Sequence, residues 1–396
     1  MKRVNLIVVG LLISASGFGQ TQITTAQELA AFNDSQTALA GSYVLMNDLT
    51  LDNWTPIGGH DDKDGQGFSG IFDGNGHTIT ITGFNSSFDN TKIGLFGLIE
   101  KEGVVKNLCV AGDISYSSDK SYLYIGGIAG VNFGTITCCI SRMTVEGIIQ
   151  IDDKKLKGLS GFKNGASGGL IVGVNRGTTT NCYSTGSILI SGNVVDILAG
   201  GIAGENGIIV GGGMSVTIGP GGTGGISAYQ PNVKVSDVIS HCYSTASVLS
   251  RLVVTGKTKS VMRAYSGGIV AITRTTGSTS SCVSLNKTIE ADGLPNQSYA
   301  MPITLMHYMG FLSFYSKDIV IRRYAMGKEQ KPKKVSDKNA VAFSDTQEHS
   351  WWLYPEGLTE KQRKQTFSFY FGDNEKAPWK WNDVEKRPVL YWEKDN

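Results

Sequence analysis

The sequence Gly126-Gly127-Ile128-Ala129-Gly130-Val131-Asn132-Phe133-Gly134-Thr135-Ile136-Thr137-Cys138-Cys139 decides the fold, because it recurs along the chain. Later copies begin at Gly168, Gly200 and Gly267, a weaker copy covers 94–109, and a degenerate one covers 309–326. In three copies a turn glycine precedes a cysteine by the same spacing: 134 to 139, 177 to 182 and 277 to 282. Such internal repetition is the signature of a repeat architecture.

Each repeat unit combines short apolar runs with glycine or asparagine turns, and no helical period appears within it. Strands this short must pair with the equivalent strands of the next copy, which produces parallel sheets wound into a coil. Glycine and asparagine are expected at the corners, where the backbone adopts positive φ. The sequence therefore predicts an all-β chain that folds as a parallel β-helix.

The composition supports this class of fold and excludes others. The 396 residues include 51 glycines but only 9 prolines, without the glycine period of collagen. A hydrophobic content of 40% argues against disorder. With 36 basic and 34 acidic residues, the net charge of +2 gives no basis for nucleic acid or an anionic membrane as a partner.

The ends of the chain suggest export and capping. Residues 1–19 resemble a cleavable signal peptide, with basic Lys2 and Arg3 before an apolar run. Residues 20–60 are interpreted as an N-terminal cap, with a capping box at Thr25 and Glu28 opening a helix to about Phe32. The β-helix repeats then occupy 61–326, and a linker and C-terminal cap occupy 327–396. The apolar stretch 299–315 is interrupted by polar residues and does not predict a membrane span.

Five of the six tryptophans lie near the C-terminus, at 351, 352, 379, 381 and 392. Exposed tryptophans stack on sugar rings, which is one interpretation of the cluster. The preferred one is a cap over the open strand edge at the end of the coil.

The repeat, together with Asn181-Cys182-Tyr183-Ser184-Thr185-Gly186, resembles the GLUG motif of bacterial exported proteins. The opening 45–79 and the ending 379–391 are also similar to those proteins. The resemblance implies a right-handed parallel β-helix of the kind found in adhesin-like proteins and in the repeat regions of immunoglobulin-A peptidases. It implies no single activity.

The candidate catalytic patterns favour no enzyme class. The histidines at 60, 77, 241, 307 and 349 lack the spacing of a zinc peptidase, and no Gly-x-Ser-x-Gly elbow is present. A polysaccharide lyase or glycosidase is the alternative, and a pair of acids on one long face would favour it. Asp73 and His77 resemble a catalytic pair but are interpreted as a turn between strands.

Three loop segments have both a functional and a structural interpretation. Asp61, Asp62 and Asp64 form either a calcium loop or a solvated turn, and the second is preferred because the terminal glutamate of a calcium loop is missing. The glycine-rich insertion 207–231 lacks the Gly-Lys-Ser/Thr of a phosphate loop. The lysines of 328–338 are interpreted as a solvated link rather than a binding patch.

The six cysteines would form three disulfides by default in an exported protein. The repeat predicts instead that Cys139, Cys182, Cys242 and Cys282 stack as a buried, reduced ladder. Cys109 and Cys138 should face away from that ladder.

The sequence thus predicts a secreted or cell-surface, non-enzymatic binding or adhesion scaffold. Its expected partner is a glycan or a host or cell-surface protein. No catalytic residue, cofactor or metal site is assigned.

Overall fold

The computed structural model describes residues 19–59, 66–85, 91–152, 165–208, 236–254, 262–305, 313–331, 339–353, 367 and 369–394. Their structure is mostly β, which confirms the predicted all-β class. Within this part of the chain, strands from successive repeat units pair in parallel and form four sheets with a parallel β-helix-like arrangement.

Each repeat unit passes through the sheets in the same order, so we number the sheets along the chain. Sheet 1 contains β6 Lys92–Ile93, β10 Tyr122–Gly126, β14 Gly165–Gly169, β18 Asp196–Gly200, β23 Arg263–Gly267 and β28 Ser298–Met301. Sheet 2 contains β7 Phe96–Ile99, β11 Ala129–Asn132, β15 Val172–Asn175, β19 Ala203–Asn206 and β24 Val270–Thr273.

The other two parallel sheets contain more strands. Sheet 3 contains β1 Thr21–Ile23, β2 Ser42–Leu45, β4 Ile71–Asp73, β8 Val104–Lys106, β12 Thr135–Thr137, β16 Thr178–Thr180, β20 Asp237–Ser240 and β25 Gly277–Ser280. Sheet 4 contains β3 Leu49–Leu51, β5 Thr78–Ile81, β9 Cys109–Ser118, β13 Ile140–Ile149, β17 Tyr183–Gly192, β21 Tyr243–Ser244, β22 Ser247–Leu252, β26 Val283–Ser284, β27 Thr288–Gly293, β29 Phe314–Ser316, β30 Val320–Ala325, β31 Lys328–Glu329 and β32 Ala340–Val341. Strand β31 is antiparallel to β30.

Parallel pairing extends beyond the repeats recognised in the sequence. Strands β2 and β3, within the predicted N-terminal cap, pair with β4 and β5. Strands β29 and β30 place the degenerate copy in sheet 4, although 306–312 lie outside the described residues. None of the helices in the described part of the chain reaches the length and hydrophobicity needed to span a bilayer.

The core lies between the sheets, where alternate side chains point inward. The predicted cysteine ladder is part of it: Cys139, Cys182, Cys242 and Cys282 are fully buried, and none is in a disulfide. Each thiol donates to the carbonyl two residues earlier, at Sγ–O distances of 3.1–3.2 Å. Cys109 pairs in register with Ile140 and packs outside this core with Cys138, as predicted.

The motif asparagines have a different role from the one expected. Asn132, Asn175 and Asn206 are not among the described residues with positive φ. They stack in register, and their buried side chains form a ladder: Asn132 Nδ2 donates to Asn175 Oδ1, and Asn175 Nδ2 to Asn206 Oδ1, both at 2.9 Å. Positive φ occurs instead at another corner, at Asn107, Cys138, Asn181, His241 and Ser281.

The motif turn glycines Gly134 and Gly177 are required by packing rather than by positive φ. A Cβ atom on Gly134 would lie 2.2 Å from the carbonyl oxygen of Gly103 in the preceding repeat unit. A Cβ atom on Gly177 would likewise lie 2.2 Å from the carbonyl oxygen of Gly134. Stacked backbones therefore leave no room for a side chain at this turn.

The first N-terminal helix begins at the predicted capping box but ends at Ala30, two residues before the predicted Phe32. Helix α1 (Ala26–Ala30) has the Thr25–Glu28 capping box and is followed by a 3-10 turn, Ala31–Asp34, and by α2, Gln36–Leu39. Leu29, Phe32 and Leu39 are buried, and the Phe32 ring stacks on Tyr43 with a centroid distance of 3.8 Å.

The C-terminal segment corrects the expected cap. After α3 (Phe343–Thr346) and α4 (His349–Trp352), residues 367 and 369–394 form the C-terminal strap, which contains the hairpin β33 Trp379–Asn382 and β34 Arg387–Leu390. The described residues of the strap lie along the outer face of sheet 4 rather than over an open end. The physical reason is the apolar row Cys109, Ile140, Tyr183, Tyr243 and Val283, which faces outward and needs cover.

Candidate functional site

Outward side chains of sheets 1 and 2 meet along the junction of the two sheets, and we call this outer surface the outer cleft. Its sheet 1 wall is the register row Tyr124, Ser167, Leu198, Tyr265 and Tyr299. Its sheet 2 wall is the register row Leu98, Val131, Val174, Glu205 and Ile272. Outward side chains of the two sheets contact each other, since Tyr124 packs on Val131 and its neighbours and Tyr265 clusters with Ile272.

A buried carboxylate bridges two arginines inside the outer cleft. Glu205 accepts from Arg176 at 2.5 Å and from Arg274 at 3.0 Å, and the three side chains are only 14–18% exposed. Burial raises the pKa of Glu205, but Arg274 and Arg176 outweigh burial and hold it below the usual value. Glu205 is therefore ionised at neutral pH.

A second carboxylate lies beside this triad with the opposite shift. Asp196 pairs with Arg263 at 3.0 Å, and burial raises the pKa of Asp196 in spite of Arg263 and Arg274. The Arg263 guanidinium lies 5.8 Å from the Tyr265 ring centroid, and Tyr265 stacks on Tyr299 at 4.9 Å. Charged and aromatic groups thus lie side by side in this half of the outer cleft.

Sequence reasoning missed this surface, although one signal was present. Glu205 occupies the position that Val131 and Val174 hold in the repeat, so an acid interrupts an apolar row. The partners of that acid come from neighbouring repeat units, and only the register brings them together.

Asp73 and His77 do not form a joint site. Asp73 lies 3.3 Å from Lys106 and accepts from the Asn75 amide, while His77 Nδ1 lies 3.1 Å from Asp48 Oδ1. They belong to the turn between β4 and β5, which agrees with the structural role predicted for them.

Two of the five C-terminal tryptophans are core residues, and the other three are half-buried. Trp352 and Trp379 are fully buried, and their ring centroids lie 5.8 and 5.7 Å from that of Tyr243. Trp381 is half-buried and stacks on His349 at 5.1 Å. Hence the two fully buried indoles have no face available for a sugar.

The strap is also held by polar contacts to early repeat units. Glu393 accepts from Arg142 and from the Tyr183 hydroxyl, both at 2.8 Å. The Trp392 indole donates to the Cys138 carbonyl at 3.1 Å. Glu375 binds Lys106 at 2.5 Å.

Other predicted features fall outside the described residues. These are 1–18 of the signal segment, His60 with Asp61, Asp62 and Asp64, residues 209–231 of the glycine-rich insertion, and 332–338 of the lysine-rich link. Within the described ranges, no three His, Cys, Asp or Glu side chains are grouped as metal ligands would be.

Comparison with known proteins supports the fold only. No family model matches the chain. Halomucin of Haloquadratum walsbyi is 31% identical over 150 residues, which are 35% of this chain and 2% of that protein. A protein provisionally named Gly-rich membrane protein, from Evansella cellulosilytica, is 30% identical over 135 residues, 31% of this chain and 15% of that protein. The chain therefore spans a small part of the curated relatives it matches.

A solved structure from Bacteroides ovatus, described as a candidate immunoglobulin A1 protease, is similar in fold. The TM-score is 0.50 at 14% sequence identity, and the match covers 95% of this chain and 93% of that one.

Proposed function

We propose that this chain is an exported, right-handed parallel β-helix of the GLUG-motif kind that serves as a non-enzymatic binding or adhesion scaffold. The in-register pairing of equivalent strands supports the solenoid. Residues 1–19 act as the export signal, and α1 with the following turns caps the first strands. The protein then acts outside the cell or at its surface.

The observation that carries the binding proposal is the outer cleft. Tyrosine rings offer flat apolar surfaces with a polar tip, and arginine–carboxylate pairs offer hydrogen bonds to hydroxyl groups. Because the two walls run through successive repeat units, the outer cleft suits an extended ligand. A glycan chain fits that description better than a folded protein surface does.

The test is a glycan array followed by titration of the best ligand. Tyr299→Ala removes a half-buried ring from the outer cleft, and we expect it to weaken binding about tenfold, or ~1.4 kcal/mol. Tyr116→Ala is the matched control, because Tyr116 contacts Phe84 on a different face. Equal losses in both variants, or capture of a host protein with no glycan bound, would overturn the glycan proposal.

Asp196 and Glu205 support a second candidate, a carbohydrate-active enzyme. Both acids lie in the outer cleft, and their environments push their pKa values apart, as a general acid and its ionised partner require. We rank this candidate second because each carboxylate is already paired with arginine.

Turnover separates the two candidates. The scaffold proposal predicts no release of sugar ends from a panel of neutral and acidic polysaccharides. Release that disappears in both Asp196→Asn and Glu205→Gln would establish the enzyme instead.

A further inference from the structure

A separate pocket lies between helix α1 and the segment that follows strand β3. Its volume is about 410 Å³, toward the lower end of the ~300–1,000 Å³ typical of small-molecule sites. Ala26, Ala30, Leu51 and Trp54 contribute apolar surface, and Gln27, Asn33, Asp52, Asn53 and Thr55 contribute polar groups.

The groups at the rim are available for a ligand. Among the described residues, the side chains of Gln27 and Asn53 make no hydrogen bonds within the protein, and both are exposed. Asn33 and Trp54 are instead fixed by the fold: Asn33 Oδ1 accepts from the Gly58 amide at 2.8 Å, and Trp54 Nε1 donates to the Leu95 carbonyl at 3.0 Å. The pocket therefore has rigid walls and free polar groups at its mouth.

The charge of the lining selects among ligands. Asp52 is the one ionisable side chain among the described lining residues. In the described part of the chain, its carboxylate accepts only a weak hydrogen bond, from the Thr82 hydroxyl at 3.3 Å. The Asp52 carboxylate can accept hydrogen bonds from neutral hydroxyl groups, and the amides of Gln27 and Asn53 can both donate to them and accept from them. An anionic ligand would meet like charge, with no cation in the described lining to offset it.

We propose that this pocket binds a single neutral hexopyranose unit. The apolar lining would contact the C–H face of the ring, while Gln27, Asp52 and Asn53 bind its hydroxyl edge. The site is independent of the outer cleft, because none of its lining residues belongs to either cleft wall.

The experiment uses saturation-transfer NMR on the whole protein. The probes are the methyl glycosides of glucose, galactose and mannose, with glucuronate as the charged counterpart, each at about 10 mM, which fills most of a site whose dissociation constant is about 1 mM. We expect transfer to at least one neutral glycoside and none to glucuronate. Absence of transfer to every neutral probe, or equal transfer to glucuronate, would overturn the proposal.

Two variants locate the binding. Gln27→Ala removes a side chain without partners in the described protein, so it should fold normally and reduce transfer at least fivefold. Asp52→Asn keeps the shape and the contact from Thr82 but changes the acceptor set, and it should also reduce transfer. Asp113→Ala, an exposed site on β9, is the control that should keep full transfer. Unchanged transfer in both pocket variants would contradict this site.

Because a glycoside can be free or terminal on a chain, methyl glycosides are compared with glycans ending in the same sugar. Binding of both identifies a terminal-sugar site, and binding of the monosaccharide alone identifies a site for free sugar. Either result supports the pocket. Tyr299→Ala should leave this binding intact even where it abolishes binding in the outer cleft.

Discussion

His241 lies at a corner position where burial couples its protonation to folding. It adopts a φ of 52°, in the row that also contains Asn181, and the Tyr370 ring lies 5.4 Å from its own. Burial lowers the pKa of His241 from 6.5 to about 4, because the charged ring is poorly solvated there. The neutral ring is thus the form that the folded state favours.

The lowered pKa of His241 determines how the free energy of unfolding changes with pH. The contribution of His241 to the free energy of unfolding is full above pH 6.5 and is lost as the pH falls toward 4. His241→Asn, which keeps a residue tolerant of positive φ, should remove about 2–3 kcal/mol of the stability loss between pH 7 and pH 4.5. Urea unfolding at both pH values measures it, and parallel losses in the two proteins would contradict the prediction.

Individual residues also show which features could be predicted from the sequence and which could not. The fixed spacing from turn glycine to cysteine was sufficient to predict which cysteines face the core, because stacking preserves register. The asparagine ladder was not foreseen, since a motif asparagine can serve either backbone conformation or side-chain hydrogen bonding. Only the stacked amides at 2.9 Å distinguish the two.

Among the elements, the sheet 4 strands β13, β17, β21 and β26 are each preceded by a cysteine of the ladder, and the ladder yields a redox prediction. Burial raises the pKa of Cys182, Cys242 and Cys282 well above the usual value, so these thiols remain protonated. We expect all six cysteines to react with a thiol label after denaturation without reductant. Mass spectrometry counts the labels, and a disulfide within the ladder would contradict the prediction.

Strands and their register were predictable at this scale, but the outer cleft was not. Local patterns specify which side chains point outward from each sheet. They do not specify the angle between sheets 1 and 2, which brings Tyr124 onto Val131 and Tyr265 onto Ile272. That angle results from the packing of the whole core.

For the whole molecule, the strap is the feature that joins distant parts of the sequence. Trp379→Ala should lower the free energy of unfolding by about 3–5 kcal/mol, the usual cost of truncating a buried tryptophan. It should also speed maleimide labelling of Cys109 and Cys138 in the native protein, because the strap covers both, while the ladder cysteines stay protected.

Trp381→Ala is the matched control, since Trp381 is half-buried and contacts His349. We expect a smaller loss of stability and no change in labelling. If both variants label alike, the strap does not shield sheet 4. The sequence could not predict these contacts, because a pair such as Lys106 and Glu375 is separated by most of the chain.

The direction of the strap has a mechanical consequence. Near its C-terminal end, Trp392 and Glu393 bind Cys138 and Arg142, whereas Trp352 and Phe369 lie farther along sheet 4 at Tyr243. A pulling force applied beyond residue 393 would therefore load the contacts of Glu393 first and peel the strap away one contact at a time. The parallel sheets would bear no load until that peeling was complete, so the strap would extend and dissipate work while the outer cleft kept its shape.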